Sequence, residues 1–217
     1  MRNGAVINID DGRKKTHQKK LADADIEDML SQIYPIATCA GAKSVPRRNE
    51  DPGRIRKGEF FKHIYGKTRK SVEDQLTTIQ WFGTRLRVSR INGVDQKLRA
   101  VRRELKSLGP RFLPFLEKSG GSYNWRPIAG TSRLSAHSFG IAVDINPSRG
   151  NYWKWSANPK QDIRYRNIIP IQIVKIFEKH GFIWGGRWYH YDTMHFEYRP
   201  ELIAIGQLAA MRDCLRN

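Results

Sequence analysis

Within Ser135–Ile145, SAHSFGIAVDI, a histidine and an aspartate stand seven residues apart in an otherwise apolar run. On one continuous strand, which rises about 3.3 Å per residue, the Cα atoms of His137 and Asp144 would lie roughly 23 Å apart. In a helix the same offset spans about 10 Å along one face. A cation bonded at about 2 Å to each ligand cannot bridge the first distance. Ile-Ala-Val-Asp-Ile favours a strand, so the two side chains meet only if the chain reverses between them. Gly140 stands where a reversal is easiest. Gly140, Ala142 and Asp144 then share one strand face, and Ile141, Val143 and Ile145 the core face. The bland alternative is a strand with a structural histidine at its end, but such a strand has no need of a carboxylate at 144.

HYDTMHFEYRP supplies a second half. Met194, Phe196 and Tyr198 alternate with His195 and Glu197, so one face is apolar and the other carries a histidine. Two histidines and one carboxylate leave a fourth position open for water, the pattern of a catalytic rather than a structural zinc site. A cation bound there lowers the pKa of that water to about 7. Asp192 precedes His195 by three residues and shares the site only from a turn before the strand, where it is placed to act as general base. Glu197 is a candidate for orienting a ligand from behind. His190 is the rival third ligand.

The rest of the chain bounds these readings. A length of 217 residues suits one domain, with or without a long arm. There is no run of about 18 apolar residues to span a membrane, and MRNGAVINIDDGRKK lacks the pattern of an intact signal peptide. The net charge of +18 is spread along the chain and favours polyanions without choosing among them. With no zinc-finger spacing, RNP-type strand or helix-turn-helix signature, nucleic-acid binding rests on charge alone. Cys39 and Cys214 make one long-range disulfide in an oxidising compartment or two thiols in a reducing one, and the sequence leaves both open.

Residues 1–24 are expected to be a basic, flexible arm, and 25–217 one domain whose motifs fall within 110–200. DADIEDMLSQIY predicts a short helix with Ile26, Met29, Leu30 and Ile33 on one face. The stretch from Cys39 to Gly58, with Pro46, Pro52 and Gly53, predicts an irregular surface crossing. TTIQWFG and RLRVSRI predict strands. VDQKLRAVRRELKSLG predicts a helix with Leu98, Val101, Leu105 and Leu108 on one face, ended by Gly109 and Pro110. Residues 120–140 are rich in turn formers. PIQIVKIFEKHG predicts a helix that buries Ile173, Val174 and Phe177 and stops at Gly181. A Gly-Gly turn and a strand follow. Strands and helices without regular alternation imply an α+β fold.

S-x-H-x-x-G-x-A-x-D at Ser135–Asp144 and D-x-x-H at Asp192–His195 resemble the paired signatures of the zinc D-alanyl-D-alanine carboxypeptidase and L-alanyl-D-glutamate endopeptidase family, the VanY-like group. GFIWGGRW, Gly181–Trp188, resembles the stretch that precedes D-x-x-H in its endopeptidase branch. The likeness runs from about Gly120 to Pro200. It implies a hedgehog/DD-peptidase-like antiparallel sheet with flanking helices, zinc (Zn2+) on His137, Asp144 and His195, and Asp192 as catalytic acid/base. It also implies an arginine that polarises the scissile carbonyl or holds a substrate carboxylate. Arg126 in YNWRP is the match and Arg133 the alternative.

Ser135, Arg133, Trp188 and Tyr189 are the candidate substrate contacts, and Trp125, Tyr152, Trp153 and Trp155 flank the same motifs. The expected substrate is a peptidoglycan stem peptide, with an anionic wall polymer as a further partner and a periplasmic or extracellular location. A non-catalytic wall-binding module with a structural zinc is the alternative. Family motifs say nothing about residues 1–110, which either bind wall polymer, bury an edge of the sheet, shape the groove, or serve as extra scaffold.

Overall fold

The two alternations read separately around Asp144 and His195 meet as neighbouring antiparallel strands. The computed structural model describes residues 6–36, 45–156 and 163–216. Its elements begin with α1 (His17–Ala22), α2 (Ile26–Leu30), α3 (Gly58–Tyr65), α4 (Arg69–Glu73), β1 (Leu76–Trp81) and β2 (Thr84–Ser89). Then come α5 (Val94–Ser107), α6 (Leu113–Leu116), β3 (Ala142–Asp144) and α7 (Trp153–Ser156), followed by α8 (Ile171–Lys179), β4 (Phe182–Trp184), β5 (His195–Tyr198) and α9 (Pro200–Arg216). Among the described residues, β1 and β2 form a hairpin, and a second sheet has the order β3-β5-β4 with both pairs antiparallel. The class is α+β, as expected.

Register decides what the second sheet can do. Asp144 lies opposite His195, Val143 opposite Phe196, and Ala142 opposite Glu197. Directly opposed residues point to the same face, so the carboxylate of β3 and the histidine of β5 are neighbours. Ile183 of β4 is opposite Glu197 and joins that face. The other face is apolar: Phe196 stacks on Phe177 of α8 at 3.9 Å between ring centroids, and Phe177 also meets Phe182 and Trp81.

Helix α8 buries Ile173, Val174 and Phe177, and α5 buries Val94, Leu98, Val101 and Leu105, as their spacing predicts. One apolar cluster includes the hairpin, α5, α8 and the sheet, so the N-terminal half shares its core with the motif-bearing half. In α2 the apolar stripe is shorter than predicted. Met29 is buried, but Ile33 lies beyond the helix and is exposed. Helix α9 packs Leu202 and Ile203 with Tyr34, Ile183 and Trp188 in a smaller cluster.

The stretch expected as a surface crossing is different. Residues 37–44, including Cys39, lie outside the described residues, but Asp51, Pro52, Gly53 and Ile55 are buried. This strap lies against the polar face of the sheet: a Cβ on Gly53 would stand 2.3 Å from Ile183 Cδ1 and 3.7 Å from Glu197 Oε1. Buried backbone requires partners, and the strap finds them in the motif half. Pro52 O accepts from Trp188 Nε1 (2.5 Å) and Gly53 O from Arg199 Nη1 (3.3 Å). Residues 6–24 carry α1, and Lys15, almost fully buried, pairs with Asp11, Asp25 and Asp28. Cys214 is disulfide-bonded.

Candidate metal centre

The reversal between His137 and Asp144 is a 3-10 turn, Ala136–Phe139, closed by Gly140 at φ +66°. That left-handed conformation suits glycine, and a Cβ there would also lie 2.5 Å from Leu76 Cδ2. The turn is anchored on the N-terminal hairpin by Ser89 N donating to Gly140 O (2.9 Å). Ser135 caps it, its Oγ accepting from the His137 amide at 3.4 Å. Ser135 is buried, and its hydroxyl helps to position the His137 turn.

His137 Nδ1 donates to Ser122 O at 2.6 Å, and a carbonyl can only accept. The proton is therefore on Nδ1, and the Nε2 lone pair faces His195 Nδ1 at 3.2 Å and Asp144 Oδ1 at 3.3 Å. His195 makes the mirrored choice. Its Nε2 donates to Glu197 Oε2 (3.1 Å), leaving Nδ1 to face Asp144 Oδ1 at 3.0 Å. Three atoms with acceptor character thus converge, all within 4.8 Å of one another. Such a group needs a proton or a cation between its members. Burial disfavours the charged form of His195, but Asp144 and Glu197 outweigh it and push its pKa up to about 10. Burial likewise opposes ionisation of Asp144, yet His137 and His195 hold its carboxyl well below the usual range. Two imidazoles and one carboxylate are a donor set suited to zinc and its neighbours.

Asp192 sits in the turn before β5, where His195 N donates to Asp192 O (3.2 Å). Gly185 makes room for it. Asp192 N donates to Gly185 O (3.0 Å), and a Cβ on Gly185 would lie 2.4 Å from Asp192 O. Gly185 is thus a consequence of close backbone approach, while at Gly186 a Cβ would lie 2.2 Å from the Trp184 ring. Asp192 Oδ1 is buried without a hydrogen-bond partner. Burial pushes its pKa up to about 6; the charge of Asp144 adds to the rise, while His195 and Arg54 pull it down. A carboxyl poised near neutrality with a spare lone pair is suited to taking and returning a proton.

Behind His195 a buried charge chain spans both halves of the protein. Glu197 accepts from Arg199 Nη1 (3.1 Å) and pairs with Arg56 Nη2 (3.3 Å). Burial opposes its charge, but Arg56, His195 and Arg199 hold the carboxyl far below its ordinary range. Arg56 Nε donates back to Gly53 O (2.8 Å) within the strap.

Other candidates are arranged differently from the expectation. His190 turns away from the cluster: its Nδ1 lies 2.8 Å from Asp51 Oδ2, and its amide donates to Asp51 Oδ1. It is a partner for a buried carboxylate and not a third ligand. Trp188 is 2% exposed, with its ring 5.5 Å from that of His195, so it packs behind a ligand rather than lining an open groove. Tyr189 is partly exposed, and its hydroxyl accepts from Ile163 N. The Arg126 backbone is tied to the His137 turn through Ser138 Oγ and Ser135 N, while the residue itself is exposed. Arg133 is half-buried, and its Nη1 reaches Arg54 O at 3.4 Å.

Local patterning misses Arg54. Its charge acts on both Asp192 and Tyr152, and its guanidinium lies 5.6 Å over Trp188. The only sequence signal is the Arg-x-Arg pair after Pro52-Gly53, and Arg54 itself falls in a turn, its amide donating to Asp51 O at 2.9 Å.

Fold and cluster together define an α+β protein with a buried His-Asp-His group able to hold a metal ion, beside a carboxyl of raised pKa. Residues 129–198 match the family model described as D-alanyl-D-alanine carboxypeptidase, which supports the family that the two signatures resemble. No curated protein and no solved structure matches the chain.

Proposed function

We propose that the protein is a zinc-dependent peptidase that hydrolyses an amide bond in peptidoglycan stem peptides, acting in the periplasm or outside the cell. The observation that carries this reading is the convergence of His137 Nε2, Asp144 Oδ1 and His195 Nδ1 beside the unpartnered Oδ1 of Asp192. A zinc-type cation held by those three atoms supplies Lewis acidity toward the scissile carbonyl and acidifies a water. Ser122 O and Glu197 fix the two imidazole tautomers, so both ligand nitrogens face inward without rearrangement. Asp192 takes the proton from the attacking water at Oδ1 and returns it to the departing amine.

Arg126, exposed at the rim, is the proposed donor to the carbonyl oxygen or to a substrate carboxylate, with Arg54 a second cation close to Asp192. Tyr152 is bridged to Asp192 through the backbone, and Trp155, 63% exposed, packs edge-on against it. These aromatics and Tyr189 are the proposed platform for the peptide.

Purified sacculi digested with and without a chelator test the proposal, with fragments weighed by mass spectrometry. Cleaved stem peptides that vanish with chelator and return with zinc are expected. Unchanged muropeptides alongside tight binding to sacculi would favour a non-catalytic wall-binding module instead.

A further inference from the structure

Trp155 is the exception among the six tryptophans. Trp81, Trp184 and Trp188 are buried, and each donates its indole N–H to a backbone carbonyl, that of Leu116, Thr193 and Pro52 respectively. Trp125 and Trp153 are partly buried. Trp155 leaves 63% of its surface in water, so the core gains little from it. Aromatic residues held at the surface in a cluster are instead typical of recognition sites.

Its position ties it to the metal centre. Trp155 stands in α7, three residues after Tyr152, whose backbone bridges Asp192. Tyr152 and Trp155 meet edge-on, 5.9 Å between ring centroids and 85° between planes. The rings continue inward from Tyr152 to Trp153 at 6.1 Å and from Trp153 to His190 at 4.7 Å. Tyr152 also lies in the field of the site: burial raises its pKa, Asp192 adds to the rise, and Arg54 and Arg126 oppose it. An edge-on neighbour covers at most one face of a ring. The exposed indole therefore keeps a broad flat face open to solvent.

What stacks there follows from chemistry. The side chains of a stem peptide are mostly methyl groups, carboxylates and an ammonium group, too small or too charged to cover an indole. The ammonium is the rival occupant, since cations sit well over indole faces. Here the surroundings are already positive. Lys154 and Arg126 are exposed, and Lys154 Nζ lies 5.4 Å over the Trp153 ring. A pyranose ring is uncharged and presents an apolar C–H face with hydroxyls at its rim, so it covers the indole while its polar groups stay in water. The route from Asp192 across the bridge and the Tyr152 ring to Trp155 is at most about 15 Å, roughly four residues of extended chain. That is the reach of a stem peptide whose first residue is joined to a sugar.

We propose that Trp155 is a specificity-determining residue that stacks on the amino sugar to which the stem peptide is joined, so that the preferred substrate is a peptide still carried on its glycan. The inference rests on the peptidase reading and extends its aromatic platform outward by one sugar.

Two substrates test the assignment with the full chain in the presence of zinc: a synthetic stem peptide, and the same peptide joined to its disaccharide. The parent is expected to favour the sugar-bearing substrate about tenfold in kcat/KM, carried by KM. In Trp155→Ala that preference should fall to about one, and in Trp155→Phe, which keeps a smaller flat face, to an intermediate value. A parent without preference, or a preference retained in Trp155→Ala, would overturn the proposal. Calorimetric titration with the peptide-free disaccharide separates it from the peptidase reading. If neither substrate is cleaved, the peptidase reading fails. Saturable disaccharide binding that weakens in Trp155→Ala then still assigns the sugar to Trp155, whereas binding absent from the parent, or equal in the variant, removes it.

Discussion

Residues 129–198 and the strap at 51–56 meet across one face of a three-stranded sheet but do different work. The first supplies His137, Asp144 and His195, short-range motifs whose spacing announces them. The second supplies none of these ligands, yet its backbone and Arg56 grip Trp188, Arg199 and Glu197, which stand directly behind His195. Ligand identity is thus set locally, while part of the packing and charge behind His195 comes from a strap more than a hundred residues away. A ligand set without such backing would be free to rotate, and the tautomers that face the lone pairs inward would not be fixed.

Three experiments break or sharpen this contrast. The largest effect belongs to the motif half. Asp192→Asn should retain metal, measured by elemental analysis, and lose about 10²–10⁴-fold in cleavage rate. The same variant has a signature in the metal-free protein. The folded-state pKa of Asp192 is raised from 3.8 to about 6, so the folded chain holds this proton more tightly than the unfolded one. Stability attributable to Asp192 therefore falls as pH rises through that window and stays lost above it. Relative to the parent, Asp192→Asn should gain up to roughly 3 kcal/mol at pH 8 and almost nothing below pH 4. A difference independent of pH would mean that folding leaves the pKa of this carboxyl unshifted.

Next comes the strap. Arg56→Gln leaves all three ligands in place but removes one cation from Glu197. Metal affinity, measured by competition with a chelating dye, should fall about 10–100-fold. An unchanged affinity would reduce the strap to scaffold. The smallest change is Gly53→Ala, which adds one methyl group at φ +102° against Ile183. It should destabilise the fold by roughly 1–3 kcal/mol, read from denaturant midpoints. Loss of metal binding at full stability would contradict the packing described here.

Periodicity carried what it could. The alternation at Ile141–Ile145 and Met194–Tyr198, and the stripes on α5 and α8, each follow from a single face meeting a single core. The requirement for a turn between His137 and Asp144 followed from distance alone. Asp51 shows why the remainder was hidden. A lone aspartate beside Pro-Gly looks like a turn residue, and nothing nearby reveals that its acceptors are used by His190, 139 residues on, and by His17. His190 looked available for the same reason. Helix α9 was silent because its apolar residues follow no single stripe: Leu202 and Ile203 are buried, whereas Leu208, Met211 and Leu215 are exposed. Pairings between distant charges leave no periodic trace.

The missing side chain at Gly53 has a practical meaning for anyone trimming this protein. A fragment begun at residue 129 would keep both metal-ligand signatures and lose the strap that covers the polar face of the central strand. Ile183 would meet water, the Trp188 indole would lack its acceptor, and Glu197 would lose Arg56 as a counterion. The shortest stretch that can be recognised is therefore a poor guide to the shortest stretch worth expressing.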